Sequence, residues 1–301
     1  MNGHEATGRS GWRGDPAAPQ LVLVAGRFDG LHRGHRQLVD EARAVATRRT
    51  LPLQALVLDD GDRQHQLMPV AERCESLVRL GATRVLACHI GQLTDVDSGA
   101  ESLRVVMAAI QPATVVIACP DDAPQASRPM LRDVLRRVGV VEVHEASRWH
   151  GSDGFSVSTD RIRRALHDGA IGVANELLGR AFTLRAQVVH GAGLGRTIGV
   201  PTANLGDAHR MIPRSGVYAA TVTLPGGGRY AAAVNIGVRP TVEHDGERLV
   251  EAHLVDFDGD LYGSTIDVAF TRWLRPEQRF SSIDELVRQL HRDIERARRE
   301  R

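Results

Sequence analysis

Two stretches of this sequence set chemically capable side chains beside glycines. The first is Gly26-Arg27-Phe28-Asp29-Gly30-Leu31-His32-Arg33-Gly34-His35, directly after the apolar run 21–25. A strand that ends in glycine and opens a helix turns backbone N–H groups and the helix dipole toward an anion. At such a mouth His32 and His35 can both donate to phosphate oxygens, and Gly26 and Gly34 leave room for close approach. The second stretch runs from His190 to Leu205 and includes Gly193, Gly195, Arg196, Gly199, Thr202 and Asn204. Its glycines let backbone amides reach phosphate oxygens. Thr202 and Asn204 share one side of an extended segment and can offer two oxygens to one hard cation.

Composition narrows the chemistry. The chain has 301 residues, 38 Lys+Arg against 37 Asp+Glu, and a formal net charge of +1. That balance gives no general attraction to nucleic acid or to an anionic membrane. None of the basic residues is lysine. A Walker-type phosphate loop and Schiff-base chemistry are therefore excluded, and any phosphate must be held by Arg, His, backbone amides or a metal. Cys74, Cys88 and Cys119 lack metal-ligand spacing and read as small buried hydrophobes in a reducing cytoplasm. No apolar run is long enough to span a bilayer. The Gly- and Pro-rich stretch 1–19 reads as a loose tail rather than a signal peptide.

The elements that must position these residues change character along the chain. Strand-like runs at 21–25, 53–58, 84–88 and 114–118 alternate with helical patterns at 35–46, 69–80 and 101–110. Alternation of this kind predicts a Rossmann-like α/β domain with a parallel sheet. Two short helices follow, at 159–167 and 170–178. From Phe182 the strands become alternating and turn-rich, which predicts an antiparallel β-barrel or sandwich. A terminal helix begins at the capping box Ser282/Glu285 and places Ile283, Leu286, Val287, Leu290, Ile294 and Ala297 on one face. The expected division is a tail at 1–19, an α/β domain at 20–179 and a β domain at 180–301.

The His-x-Gly-His junction resembles the nucleotidyltransferase superfamily, and the longer string resembles the adenylyltransferase half of bifunctional prokaryotic FAD synthetases. The resemblance implies that the two histidines stabilise charge on an attacked α-phosphate as pyrophosphate leaves. It also implies that Ser158, Thr159 and Arg163, in Val157-Ser158-Thr159-Asp160-Arg161-Ile162-Arg163, hold the triphosphate. Asp160 stands where that signature has threonine, and it repels phosphates unless it serves only as a helix cap. Leu58-Asp59-Asp60-Gly61-Asp62 and Ala118-Cys119-Pro120-Asp121-Asp122 lack the aromatic residues that the family carries near its flavin and adenine sites.

The second half resembles riboflavin kinases more closely. The Gly-rich stretch ends in Pro201-Thr202-Ala203-Asn204, and 213–218, 235–241, 251–263 and 275–280 follow in the family's order. The resemblance implies Mg²⁺ with ATP on Thr202 and Asn204, and Asn235 in a nucleotide loop. Glu251 would be the general base for the ribityl 5′-hydroxyl, and Arg275, Glu277 and Phe280 would lie on a loop covering the flavin.

Three readings follow. In the first the chain phosphorylates riboflavin to FMN and adenylylates FMN to FAD. In the second it is a kinase behind a degenerate nucleotidyltransferase scaffold, and in the third the first domain serves another phosphorylated acceptor. All three expect a cytoplasmic enzyme whose partners are riboflavin, ATP and FMN, with no nucleic acid or membrane.

Overall fold

A computed structural model describes residues 21–89, 107, 109–110, 112–117, 142–191, 193–206, 210–238 and 248–300. The expected tail at 1–19, most of the helix at 101–110, the 118–122 segment and the 239–241 end of the nucleotide-loop motif lie outside the described residues.

The chain divides into two compact units. The first comprises residues 1–27, 37–61 and 74–147, and the second comprises 28–36, 62–73 and 148–301. The first holds a parallel sheet of β1 (Val22–Gly26), β2 (Leu53–Asp59), β3 (Arg84–His89), β4 (Thr114–Ile117) and β5 (Glu142–Glu145). Their order is β3-β2-β1-β4-β5. The apolar runs are read correctly as strands, because strands covered on both faces need continuous rather than alternating hydrophobicity. Leu23, Leu56 and Val115 are buried in one core. The strand order reverses direction at β1, and ligands in open α/β sheets lie beyond the carboxyl ends of strands at such a point. Gly26 ends that strand.

Helix α1 (Arg33–Arg49) and helix α2 (Val70–Arg79) each start in the second unit and continue into the first. Helices α3 (Thr159–His167) and α4 (Ile171–Leu178) follow. The chain then enters a closed barrel of β6 (Phe182–Val189), β7 (Ala203–Leu205), β8 (Gly216–Thr223), β9 (Arg229–Val238), β10 (Arg248–Leu254) and β11 (Thr265–Arg275). All of its pairings are antiparallel and its order is β10-β7-β6-β11-β8-β9. Closure leaves no free strand edge. Alternate residues fill the interior, for example Leu184, Ala186 and Val188 on β6 and Val250, Ala252 and Leu254 on β10. The same core takes in Ile162 and Leu166 of α3 and Leu177 and Leu178 of α4.

Helix α5 (Leu194–Thr197) is a single turn between β6 and β7. The terminal helix α6 (Ile283–Arg299) packs Ile294 and Leu290 against Ala231 and Ala233 on the outer face of β9. Three local expectations need correction. Ser282 caps α6 by accepting from Glu285 N, but the Glu285 carboxylate turns to Ser281 N and Oγ, so the capping box is not reciprocal. Ile283 is 64% exposed and does not belong to the apolar face. Cys74 and Cys88 form no disulfide and are only half-buried, which corrects the reading of them as buried.

Candidate functional site

The barrel places three of the expected residues in one row. On β7 Asn204 lies between Ala203 and Leu205, on β10 Glu251 lies between Val250 and Ala252, and on β9 Asn235 lies between Val234 and Ile236. All six flanking residues belong to the interior core. Strand side chains alternate faces, so Asn204, Glu251 and Asn235 stand on the outer wall. Glu251 is the register partner of Asn204 on one side and of Asn235 on the other. Side chains so paired start about 5 Å apart at Cβ. The row continues through Val217 on β8 to Arg275 on β11.

The Gly-rich stretch folds over this row. A Cβ added at Gly191 would lie 2.3–2.6 Å from the Asn204 amide, so only glycine permits this approach. A Cβ added at Gly195 would collide with the Val200 carbonyl and lie 3.2 Å from Thr202 Oγ1. Gly193 and Gly199 have positive φ (73° and 78°) and bracket α5, on which Arg196 is exposed. His253 Nδ1 lies 2.7 Å from the Pro201 carbonyl and ties β10 to the segment before Thr202. Thr202 and Asn204 are both half-buried. Their oxygens suit a hard cation that keeps several waters and binds mainly through phosphates.

On the far side of the row a Cβ at Gly237 would lie 2.7 Å from Glu277 Oε1. This sets Glu277 beside Asn235, whose amide nitrogen is 3.4 Å from the same point. Phe280 lies under the Arg275 guanidinium, 5.8 Å from ring centroid to Cζ. Arg275 itself is held by protein. Its Nε and Nη2 donate to Asp293 Oδ2 at 2.9 and 2.8 Å, and Nη1 donates to the Pro276 carbonyl at 3.0 Å. Asp293 on α6 is fully buried and also accepts from Gln289. Sequence reasoning missed Asp293, although a carboxylate in the stripe Leu286, Leu290, Ala297 was a visible signal.

The second set gathers at the opening of α1, within the second unit. The rings of His32 and His35 stack at 3.6 Å with 14° between planes, and Phe28 tilts against His35. His35 N donates to His32 Nδ1 at 3.2 Å, which leaves the His32 hydrogen on Nε2. Burial, and then the nearby Arg180 cation, push the His32 pKa down to about 4. Burial, then His32 and Arg73, also push His35 well below the usual imidazole value. Both rings are therefore neutral near pH 7. Gly34 is required by packing, because a Cβ there would meet Val157 at 2.7 Å and the His32 ring at 3.3 Å.

Ser158 is the N-cap of α3, so Asp160 does not cap. Asp160 instead pairs with Arg163 Nη1 at 3.0 Å. Thr159 Oγ1 donates to the Asp29 carbonyl, and Arg163 Nη2 donates to Asp29 Oδ2 at 2.9 Å. Gly26 belongs to the other unit. Asp29 and Arg180 were not singled out from sequence, yet Arg180 donates to the Gly30 and Leu31 carbonyls and is buried enough that its pKa falls to about 10.

Comparisons with known proteins identify the family. A family described as riboflavin kinase matches residues 178–300, and one described as FAD synthetase matches residues 15–92. A bifunctional riboflavin kinase/FMN adenylyltransferase from Pseudomonas fluorescens is 34% identical over 288 residues, covering 92% of each chain. This chain belongs to the bifunctional riboflavin kinase/FMN adenylyltransferase family. The Escherichia coli K12 member is 33% identical over 296 residues, again covering 92% of each chain. Among solved structures, a Streptococcus pneumoniae protein described as a macrolide-efflux protein superposes with a TM-score of 0.79 at 29% identity, covering 96% of each chain. Among the described residues no helix is long and apolar enough to cross a membrane.

Proposed function

We propose that the chain converts riboflavin to FMN with ATP on the barrel and FMN to FAD with a second ATP at the His32/His35 turn. The register row Asn204–Glu251–Asn235 carries the first half of this reading. Glu251 takes the proton of the ribityl 5′-hydroxyl as that oxygen attacks the γ-phosphorus and ADP leaves. The amides around Gly193, Gly195 and Gly199, with Arg196 and Asn235, receive phosphate oxygens. Thr202 and Asn204 would hold Mg²⁺, which neutralises phosphate charge when bound with ATP. Glu277 and Phe280 border the flavin, and Arg275 fixes the loop that carries them.

At the other site an FMN phosphate oxygen attacks the ATP α-phosphorus and pyrophosphate leaves. The neutral imidazole of His32 has an Nε2–H to offer the developing charge, and the stacked His35 ring adds a second imidazole donor. Ser158, Thr159 and Arg163 are the residues assigned to the triphosphate, with Gly34 beside His32, and Gly26 is assigned to it from its place at the end of β1. In sequence we assign the adenylyl-transfer module to residues 20–179 and the kinase module to 180–301. Family matches in both modules leave the monofunctional reading unfavoured. Soluble, cytoplasmic operation on small molecules without nucleic acid or membrane fits the near-neutral charge balance.

The test is to incubate the pure protein with riboflavin, ATP and Mg²⁺ and to separate the flavins over time. FMN followed by FAD is expected. FMN without FAD removes the second activity, and absence of FMN removes the first.

A further inference from the structure

The geometry points to Asp29 as a positioning residue that aims Arg163 at the nucleotide phosphates, a role that rests on reading the His32/His35 turn as the adenylyl-transfer site. Asp29 is 2% exposed. Its Oδ1 accepts from Leu67 N at 2.9 Å and Met68 N at 3.0 Å, and lies 3.1 Å from Arg73 Nη2. Its Oδ2 is given to Arg163 Nη2 at 2.9 Å. One carboxylate thus ties together the histidine turn, the start of α2 and the middle of α3.

The backbone around it explains why such a tie is needed. Phe28 and Leu31 both have left-handed φ, 52° and 42°, which is costly for residues with a Cβ and persists only where surroundings enforce it. Arg180 grips the Gly30 and Leu31 carbonyls from one side, and Thr159 Oγ1 reaches the Asp29 carbonyl from another.

The remaining partners of Arg163 differ in how easily they can be exchanged. Nε donates to the His65 carbonyl at 2.9 Å, and Nη1 donates to Asp160, whose side chain is 68% exposed. A phosphate oxygen can replace the solvated Asp160 carboxylate on Nη1 while Nη2 stays on buried Asp29. Asp29 therefore fixes the plane of the guanidinium, and Asp160 occupies the nitrogen that the ligand takes. A planar, forked donor is useful to phosphate only when its plane is held.

Asp29→Asn in the full chain tests this by steady-state FAD formation from FMN and ATP. The expected result is a KM for ATP raised about tenfold with kcat changed less than about threefold. In an Arg163→Ala background the same substitution is expected to raise KM by less than about twofold, because residues acting through one another are not additive. An unchanged KM in folded Asp29→Asn, or effects that add, overturns the role. If Asp29→Asn fails to fold because Arg73 loses its counter-ion, Asp29→Asn with Arg73→Met removes both charges and takes its place. If the wild-type chain makes no FAD, the activity reading fails separately. Calorimetric binding of inorganic triphosphate then decides, with affinity about tenfold weaker in Asp29→Asn expected and equal affinity overturning the role.

Discussion

Glu251 on β10 lies directly across from Asn204 on β7 and, on its other flank, from Asn235 on β9. On the proposed mechanism this carboxylate meets the substrate hydroxyl, and the flanking oxygen and amide groups meet phosphate and cation. The arrangement needs no lysine, since backbone amides and hard oxygen donors meet the charge instead.

Glu251→Gln keeps the shape of the row and removes its base. FMN formation is expected to fall about 10²- to 10⁴-fold, the range of general base catalysis. ATP binding, followed by calorimetry, is expected to persist. Turnover at the wild-type rate would show that the proton leaves by another route.

Gly191→Ala addresses the close approach of the Gly-rich stretch. The new methyl would meet the Asn204 amide at 2.3–2.6 Å and push it out of line. An ångström of misplacement costs about 10²-fold in rate, so FMN formation is expected to drop by that order while thermal stability changes little. A fully active variant would mean that Asn204 does not need its present position.

Asp293→Asn removes the charge that holds Arg275. Breaking a buried pair from one side costs about 3–5 kcal/mol, and the retained amide acceptor puts the expectation at the lower end. Denaturant unfolding measures that cost. The KM for riboflavin is expected to rise as well, because Arg275 anchors the 276–280 loop. A stable variant with unaltered KM would remove Asp293 from this role.

The two neutral histidines make the fold sensitive to acid. In the unfolded chain His32 titrates near its ordinary value of 6.5, whereas in the folded chain it does so at about 4. Between these values the unfolded state binds more protons, so stability is fully present above pH 6.5 and is lost as pH falls toward 4. For His32 alone the loss amounts to about 3 kcal/mol, and His35 acts in the same direction. Unfolding free energies from pH 7 to 5 are expected to fall less steeply in His32→Asn. Equal slopes would exclude His32 as the source.

His32→Ala and His35→Ala are expected to abolish FAD formation and to leave FMN formation near the wild-type rate. The histidines touch Phe28 and each other and belong to no strand of the Asn204–Glu251–Asn235 row. Parallel loss of both products in a folded variant would reveal a dependence between the two reactions.

The sequence made the sheet and barrel legible because periodicity reports on apolar burial, and both cores follow it. The motif residues stood out because glycines, histidines and an Asn/Thr pair follow strand-like runs at close spacing, and the structure brings Asn204, Glu251 and Asn235 into one row. Asp29, Arg180 and Asp293 escaped because periodicity carries no information about buried charge, whose partners lie up to 150 residues away, as for Arg180 and Gly30. The Asp160 position misled for a related reason. A carboxylate looks repulsive to phosphate until Arg163, one turn along, is seen to neutralise it.

Because Asn204, Glu251 and Asn235 occupy the outer wall while their immediate neighbours fill the interior, the same strands serve two masters by parity. On the proposed mechanism a substitution along β10 at an odd position, 251 or 253, is expected to perturb reactivity or the loop above it, and one at 250, 252 or 254 to perturb folding. Variation in the one can accumulate without dragging the other, which lets a lineage retune the reaction without rebuilding the barrel.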